Sequence, residues 1–230
     1  MQRKINPASG NPMPISDTQV SLVRRRLLAA ALAAVGSVWA SPAALAARLL
    51  ATPYQMKGPF YPVQLPLDHD NDLVTVAGRS GVAAGVIANV VGRILDQDGK
   101  PVASARVEIW QANAYGRYHH LADTQNKPID PNFQGYGQFV TGADGGYRFR
   151  TIKPVPYPGR APHIHFTVTA PGFVTLITQM YVAGAAENKD DFLLNDINDP
   201  ALRSLLIVQF EQTPASPELL ARFDLVVARA

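Results

Sequence analysis

Residues 160–169 read Arg-Ala-Pro-His-Ile-His-Phe-Thr-Val-Thr, and their alternation predicts a half-buried β-strand that begins at His163. The apolar side chains at every second position fall on one face of such a strand and can fill a core. His163 and His165 fall on the opposite face, about 7 Å apart along the chain, so both imidazoles can meet one ion. The pair alone leaves two alternatives open: a metal site, or two hydrogen-bonded histidines at a strand start.

The chain on both sides of this stretch reads as short strands broken by turns. Upstream strands are predicted at Val86–Leu95 and, with a clear period of two, at residues 105–111. Further candidates are Tyr147–Thr151, Thr175–Val182, Leu205–Phe210 and Phe223–Ala228. Short helices are predicted at Asp191–Leu194, Pro200–Leu206 and Pro217–Arg222. We therefore predict an all-β fold, an antiparallel β-sandwich with long loops and few short helices.

Two loops, Asn113–Tyr136 and Lys153–Pro162, are rich in polar residues, aromatic residues and proline, a composition typical of functional loops. They contain Tyr118 and Tyr157, respectively, whereas carboxylates near the histidine pair are scarce and the chain has no cysteine. A zinc or cupin-type site at the histidines would therefore lack thiolate or carboxylate partners. Phenolate is a hard anionic oxygen ligand that suits ferric iron better than zinc.

The first 46 residues have the pattern of an export signal. Arg24–Arg26 precede the apolar run Leu27–Val35, and Ala44–Ala46 offers a small-x-small cleavage site. Arginines behind a polar leader favour the twin-arginine route, which exports folded proteins. We expect residues 1–46 to be a signal peptide and the protein to be periplasmic or extracellular. The alternative is a weak membrane anchor, but the apolar stretch is too interrupted for a spanning helix of about 20 residues.

The charge of the chain offers no argument for nucleic-acid binding. Its 21 Lys and Arg and 18 Asp and Glu give a net charge of +3, and five cations and one anion lie within residues 1–46. Removal of that segment leaves 16 cations and 17 anions, a net charge of −1. The mature protein, residues 47–230, is therefore not basic, and it has no basic patch interleaved with aromatic residues.

Six short blocks resemble, in order, those of the intradiol aromatic-ring dioxygenases, and the resemblance covers about residues 52–228. The blocks lie at residues 58–62, 107–113, 116–118, 151–158, 160–166 and 176–181. The resemblance implies a prealbumin-like sandwich whose residues 47–230 form a catalytic domain with one Fe(III) per chain. It also implies that the substrates are O₂ and a catechol of the protocatechuate, catechol or hydroxyquinol type. The ring would be split between its two hydroxylated carbons to give a cis,cis-muconate.

The same resemblance assigns the iron ligands. Tyr118, in the Gly-Arg-Tyr block, would be the equatorial phenolate, and Tyr157, in the Pro-Tyr-Pro block, the axial phenolate that leaves when substrate binds. His163 and His165 match the two histidine ligands, and a solvent hydroxide would complete the coordination sphere.

Two further residues match the lining of the family's active site. Arg160, three residues before His163, matches an arginine that would stabilise negative charge developing on the substrate. Gln179 matches a glutamine on a neighbouring strand. Together with Tyr157, which would accept a substrate proton, they form the predicted catalytic set.

The chain departs from the family between Tyr157 and His163, where only five residues intervene. This short connection predicts a more open and shallower pocket than in the protocatechuate enzymes, and an open exported site suits lignin-derived or otherwise bulky catechols. The rival hypothesis is a non-catalytic, prealbumin-like binding module with the same strands and no metal. Relatives of the family assemble as homodimers or larger complexes, so the resemblance also allows a homo-oligomer.

Overall fold

The computed structural model describes residues 48–230; the predicted signal peptide over residues 1–46 lies outside them. Ten strands follow one another along this part of the chain. They are β1 (Ile87–Asp96), β2 (Arg106–Trp110), β3 (Tyr136–Val140), β4 (Gly146–Ile152), β5 (His163–Thr169), β6 (Leu176–Val182), β7 (Ile207–Val208), β8 (Phe210–Thr213), β9 (Ser216–Arg222) and β10 (Leu225–Val227). The mostly-strand fold confirms the all-β prediction.

The strands form two five-stranded sheets that share one apolar core. In the first sheet β1 lies at the centre, with β4 on one side and β9 and then β8 on the other, while β10 pairs with the end of β1. The second sheet has the order β3-β2-β5-β6-β7. Phe166 of β5 contacts side chains associated with the first sheet, with ring centroids 6.1 Å from Tyr147 and 5.2 Å from Phe223. The inner faces of the two sheets therefore pack against each other.

Both sheets are mixed rather than purely antiparallel, which corrects one detail of the predicted sandwich. Five pairings are antiparallel, namely β1 with β4, β2 with β3 and with β5, β5 with β6, and β8 with β9. Three are parallel, namely β1 with β9 and with β10, and β6 with β7. Parallel neighbours need a crossover connection rather than a hairpin, and short helices supply part of it between β6 and β7.

Those helices are a 3₁₀ turn (Ala186–Lys189), α1 (Phe192–Asn195) and α2 (Pro200–Ser204). The prediction of a third short helix at Pro217–Arg222 was wrong, because this segment is β9. It forms antiparallel pairs with the preceding strand β8 and long-range parallel pairs with β1, and these backbone hydrogen bonds outweigh its local preference. Within residues 48–230, no helix is long and apolar enough to cross a membrane.

The register of the second sheet determines which side chains meet on its outer face. Trp110 of β2 lies directly opposite His165 of β5, which lies opposite Gln179 of β6. Two residues earlier on β5, His163 lies opposite Tyr181 of β6. These five side chains therefore form one continuous patch across three neighbouring strands.

Candidate metal centre

Strand β5 holds the two histidines on the face opposite the core, as the alternation predicts. Ile164 and Phe166 are completely buried in the core between the sheets. His163 and His165 are also buried, with 3% and 2% of their surface exposed, but beneath loops. Their Nε2 atoms lie 3.1 Å apart. Both rings therefore present the same nitrogen to one point.

The first long loop brings Tyr118 to this point through local hydrogen bonds. The side chain of Asn113 accepts from the backbone N–H groups of Tyr115 and Arg117, and that of Asp123 accepts from the backbone N–H of Tyr118. Side chains of this type commonly replace backbone partners in loops. The Tyr118 hydroxyl lies 3.5 Å from His163 Nε2, and the residue is 3% exposed.

A glycine in the Gly-Arg-Tyr block lets the two tyrosine-bearing loops approach each other. Gly116 has a φ of +73°, which favours glycine, and a Cβ here would lie 2.9 Å from the carbonyl oxygen of Pro156 and 3.4 Å from Cβ of Tyr157. A larger residue would therefore push the two loops apart. This close approach gives a physical reason for the glycine two residues before Tyr118.

The second loop positions Tyr157 and Arg160 in one tight turn. The backbone N–H of Arg160 donates to the carbonyl of Tyr157 at 2.9 Å, and Gly159 adopts a φ of +78° within the turn. The Tyr157 hydroxyl lies 3.5 Å from His163 Nε2, and the same hydroxyl lies 3.4 Å from Nη1 of Arg160. Two phenol oxygens and two imidazole nitrogens thus meet at one buried point beside a guanidinium.

The imidazole and phenol groups of this cluster are neutral at pH 7 in the absence of a bound cation. Burial, and then the neighbouring Arg160, lower the pKa of His163 to about 3, so its imidazole is neutral at pH 7, the form that binds metals. Burial, and then the neighbouring phenol of Tyr157, raise the pKa of Tyr118 well above its ordinary value. Burial also raises the pKa of Tyr157, despite the opposing effect of Arg160. A strong positive charge is therefore needed to ionise the two phenols.

The donor set also narrows the choice of ion. Within residues 48–230, no group of three or more His, Cys, Asp and Glu side chains is arranged to hold a metal. The hydroxyls of Tyr118 and Tyr157, each 3.5 Å from Nε2 of His163, are placed to bind an ion together with the histidine pair. Two phenolates and two imidazoles form a hard, anionic set that fits Fe(III) better than Zn²⁺.

Gln179 and Arg160 form a buried polar network next to the four donors. The Nη2 atom of Arg160 donates to Oε1 of Gln179 and, at 3.3 Å, to the hydroxyl of Tyr181. The structure therefore brings together all six residues singled out in the sequence. It also adds Tyr181, whose hydroxyl joins this network.

Three neighbours of the centre were missed by the sequence analysis. Trp110 stacks on His165, with ring centroids 4.8 Å apart, and Phe60 stacks on Tyr118 at 4.6 Å. Asp191 forms an ion pair with Arg160. Phe60 lies within the family-like block at residues 58–62 and Trp110 on the predicted strand of residues 105–111, but the sequence alone does not show which rings they stack on. Asp191 carried the signal of a helix N-cap and not of a site residue.

A cavity of about 810 Å³ opens next to this centre. Its lining includes the aromatic rings of Phe60, Trp110 and Tyr118 and the apolar side chains of Leu65 and Leu121. Its size falls within the range of small-molecule sites. Tyr118 is the one predicted ligand that contacts both the donor cluster and this cavity.

Known proteins resemble this chain over most of the described residues. The family model described as "Dioxygenase" matches residues 56–228. The protocatechuate 3,4-dioxygenase beta chain of Burkholderia cepacia is 43% identical over 168 residues, 70% of this chain and 65% of the relative. A hydroxyquinol 1,2-dioxygenase of a Rhizobium species is 42% identical over 133 residues, which cover 50% of this chain and 39% of the relative. The matches therefore span less than two thirds of these two relatives.

Solved structures share the fold as well. The dioxygenase domain of a dioxygenase carbohydrate-binding protein fusion from the cellulolytic bacterium Streptomyces sp. SirexAA-E superposes with a TM-score of 0.61 at 32% identity. That match covers 78% of this chain and 99% of the domain. Catechol 1,2-dioxygenase from Acinetobacter sp. ADP1 also gives a TM-score of 0.61, at 27% identity, over 92% of this chain and 69% of that one.

Proposed function

Because the chain belongs to the intradiol dioxygenase family, we propose that it is a ferric dioxygenase that cleaves catechol-type rings between their two hydroxylated carbons. One observation carries the proposal: the hydroxyls of Tyr118 and Tyr157 and the Nε2 atom of His165 each lie within 3.5 Å of Nε2 of His163, beside Arg160. The substrates are a catechol and O₂, and the product is a cis,cis-muconate. The reaction is balanced, because both atoms of O₂ enter the product and no external reductant is consumed.

The four donors would hold one Fe(III), with Tyr118, His163 and His165 as permanent ligands. When bound, this ion would make a chelated catechol electron-rich enough at a ring carbon to react with O₂. Tyr157 is the more accessible of the two phenols, because Tyr118 is almost fully buried whereas Tyr157 is only partly so. Tyr157 is therefore suited to leave the ion and accept one of the catechol's two protons.

Arg160 supplies a fixed positive charge where negative charge develops on the substrate. Its side chain is only 10% exposed, and its Nη1 lies 3.4 Å from the Tyr157 hydroxyl that the substrate would displace. A cation held in a site that excludes water stabilises such charge strongly, because water does not screen it. Gln179 is buried behind the guanidinium and accepts from its Nη2, which keeps the group turned towards the centre.

The rival hypothesis of a metal-free binding module gives these side chains no role. Two neutral histidines, the almost fully buried phenol of Tyr118, the partly buried phenol of Tyr157 and the guanidinium of Arg160 would all lose solvation without a ligand to compensate, which costs free energy. A cation bound by the four donors offsets that cost. The cluster therefore favours the enzyme over the module.

The reaction can be tested with iron-loaded protein and catechol under ¹⁸O₂. We expect a ring-opened dicarboxylic acid that carries both labelled atoms, identified by mass spectrometry. Tyr118→Phe should abolish turnover, whereas Tyr115→Phe, a change to an exposed tyrosine of the same loop, should not. A quinone product, or a product with one labelled atom, would contradict intradiol cleavage.

For the substrate we propose a catechol with a bulky substituent, such as a lignin-derived compound. The proposal is supported by the short connection from Tyr157, the tyrosine that the substrate would displace, to His163, in which only five residues intervene. The Streptomyces relative, a fusion to a carbohydrate-binding protein from a cellulolytic bacterium, fits the same setting. Comparison of kcat/KM for catechol and for catechols with an extended 4-substituent tests this. Selective turnover of unsubstituted catechol would reject it.

We also propose export by the twin-arginine route, on the pattern of Arg24–Arg26 and the apolar run that follows. Replacement of Arg25 and Arg26 by lysine should retain the protein in the cytoplasm, as measured by cell fractionation, because the route recognises the arginine pair and not merely positive charge. Unchanged export of this variant would point to another route. The homo-oligomer stays a prediction.

A further inference from the structure

A buried carboxylate outside the set of four donors holds the guanidinium of Arg160. The side chain of Asp191 is completely buried, and its Oδ2 accepts from Nε of Arg160 at 2.9 Å. The same oxygen accepts from the backbone N–H of Ala161 at 2.8 Å. Its Oδ1 accepts from the backbone N–H of Leu194 at 3.0 Å, where Asp191 caps helix α1. One carboxylate thus ties together the loop before β5, helix α1 and the arginine.

The contact between Asp191 and Nε determines which nitrogens of Arg160 face the four donors. Asp191 occupies Nε, so both terminal nitrogens remain free to turn towards the centre. Nη1 then reaches the hydroxyl of Tyr157, and Nη2 reaches Gln179 and Tyr181. An arginine side chain has four rotatable bonds, and a partner at Nε fixes the orientation of the planar group at its end.

We propose that Asp191 is a positioning residue that orients Arg160 for the reaction. This rests on the proposed function, because it assigns Asp191 a part in that site. Asp191 acts through Arg160 and touches neither substrate nor donor set. Its place in the fold is the β6–β7 connection, so this connection serves the site as well as joining two parallel strands.

Asp191→Asn tests the positioning role, because it removes the carboxylate that accepts from Nε of Arg160. Asparagine has almost the same volume, but its one carbonyl oxygen cannot accept from Arg160, Ala161 and Leu194 together, and its amide would face one of these donors. Asp199→Asn is the matched control, because Asp199 caps helix α2 in the same way, accepting from Ala201 at 2.8 Å, and does not contact Arg160.

We expect kcat of Asp191→Asn to fall about 10- to 100-fold, as a displaced catalytic group generally costs, with the iron content of the wild type. Asp199→Asn should leave kcat unchanged. In an Arg160→Gln background, Asp191→Asn should cause no further loss in kcat, since a residue that acts through Arg160 has nothing left to position. Losses that multiply in the double variant would overturn the proposal.

A second readout does not depend on turnover, and so separates this proposal from the proposed function. In iron-free protein labelled with ¹⁵N-arginine, the Nε–H of Arg160 should exchange slowly with solvent, and the Arg160→Gln spectrum identifies its signal. Asp199→Asn should keep that protected signal and Asp191→Asn should lose it. Absence of a protected Arg160 signal in the wild type would overturn the proposal even if Asp191→Asn does not fold. Failure of the wild type to cleave catechol, with the signal protected, would reject only the function.

Discussion

The two histidines of the centre are held in different ways. Nδ1 of His163 lies 2.6 Å from the carbonyl oxygen of Ala161, a contact that fixes the proton on Nδ1 and leaves Nε2 free to bind. Nδ1 of His165 is buried without a hydrogen-bond partner in the described part of the chain. Metal-binding histidines usually have such a partner. The ring of Trp110 stacks on His165, parallel within 4°, and restricts the orientation of the imidazole.

Trp110 is therefore expected to support iron binding. Trp110→Ala should weaken iron binding by about 10- to 100-fold, the usual effect of losing a group that orients a metal ligand. Trp110→Phe, which keeps a ring on His165, should retain most of the affinity. Iron content after dialysis against graded chelator measures both. Wild-type iron retention in folded Trp110→Ala would show that stacking does not hold the ligand.

The sequence predicts the four candidate donors but not the residues that contact and orient them. Tyr118, Tyr157 and the histidine pair lie in short motifs whose chemistry is local. Asp191 lies 31 residues from Arg160 along the chain, and only the packing of α1 brings them together. Trp110 meets His165 through strand register, which spacing along the chain does not reveal.

Single elements differ in how closely their sequences determine them. The predicted bounds of β5, His163–Thr169, are those of the structure, because both its core face and its site face have strong local signals. The sequence of β9 has no such local signal. Its pairing with β1 joins segments that lie more than a hundred residues apart along the chain. β3 was missed: the long loop was predicted to end at its first residue, Tyr136, and residues 137–140 were assigned to no element.

Strand β5 should contribute to stability and to the site through separate faces. Phe166→Ala removes a fully buried ring and should lower the free energy of unfolding by about 3–5 kcal/mol. Phe192→Ala, at a residue 61% exposed, should change it by no more than about 0.5 kcal/mol. Urea unfolding measures both. Similar losses in the two variants would contradict the assignment of Phe166 to the core.

At the scale of the whole domain, Arg229, near the C-terminus, contacts the central strand β1 of the first sheet. Arg229 donates to Oδ2 of Asp96 at 2.7 Å, at the end of β1. The other oxygen of Asp96 accepts from the backbone N–H groups of Asp98 and Lys100. Burial acts to raise the pKa of this carboxyl, but the hydrogen bonds from Lys100, Arg229 and Asp98 outweigh it and lower the pKa below its ordinary value.

Because the pKa of Asp96 is lowered in the folded protein, the contribution of this carboxylate to stability depends on pH. A carboxyl whose pKa is lower in the folded state stabilises the fold above its unfolded pKa of about 3.9, and the contribution is lost as the pH falls through the folded value. Wild type should therefore be more stable than Asp96→Asn at about pH 7, and the difference should shrink at about pH 3. Urea unfolding at both pH values tests this. A difference that grows on acidification would contradict the sign.

The central claim, that two phenols and two histidines bind ferric iron and admit a catechol, is tested most directly by the visible spectrum. Iron-loaded protein should show a red-brown band from tyrosinate-to-iron(III) charge transfer, and this band should shift when a catechol is added without oxygen. Tyr157→Phe should alter the band, while Tyr115→Phe should leave it unchanged. If protein that contains stoichiometric iron is colourless, Tyr118 and Tyr157 are not ligands and the account is wrong.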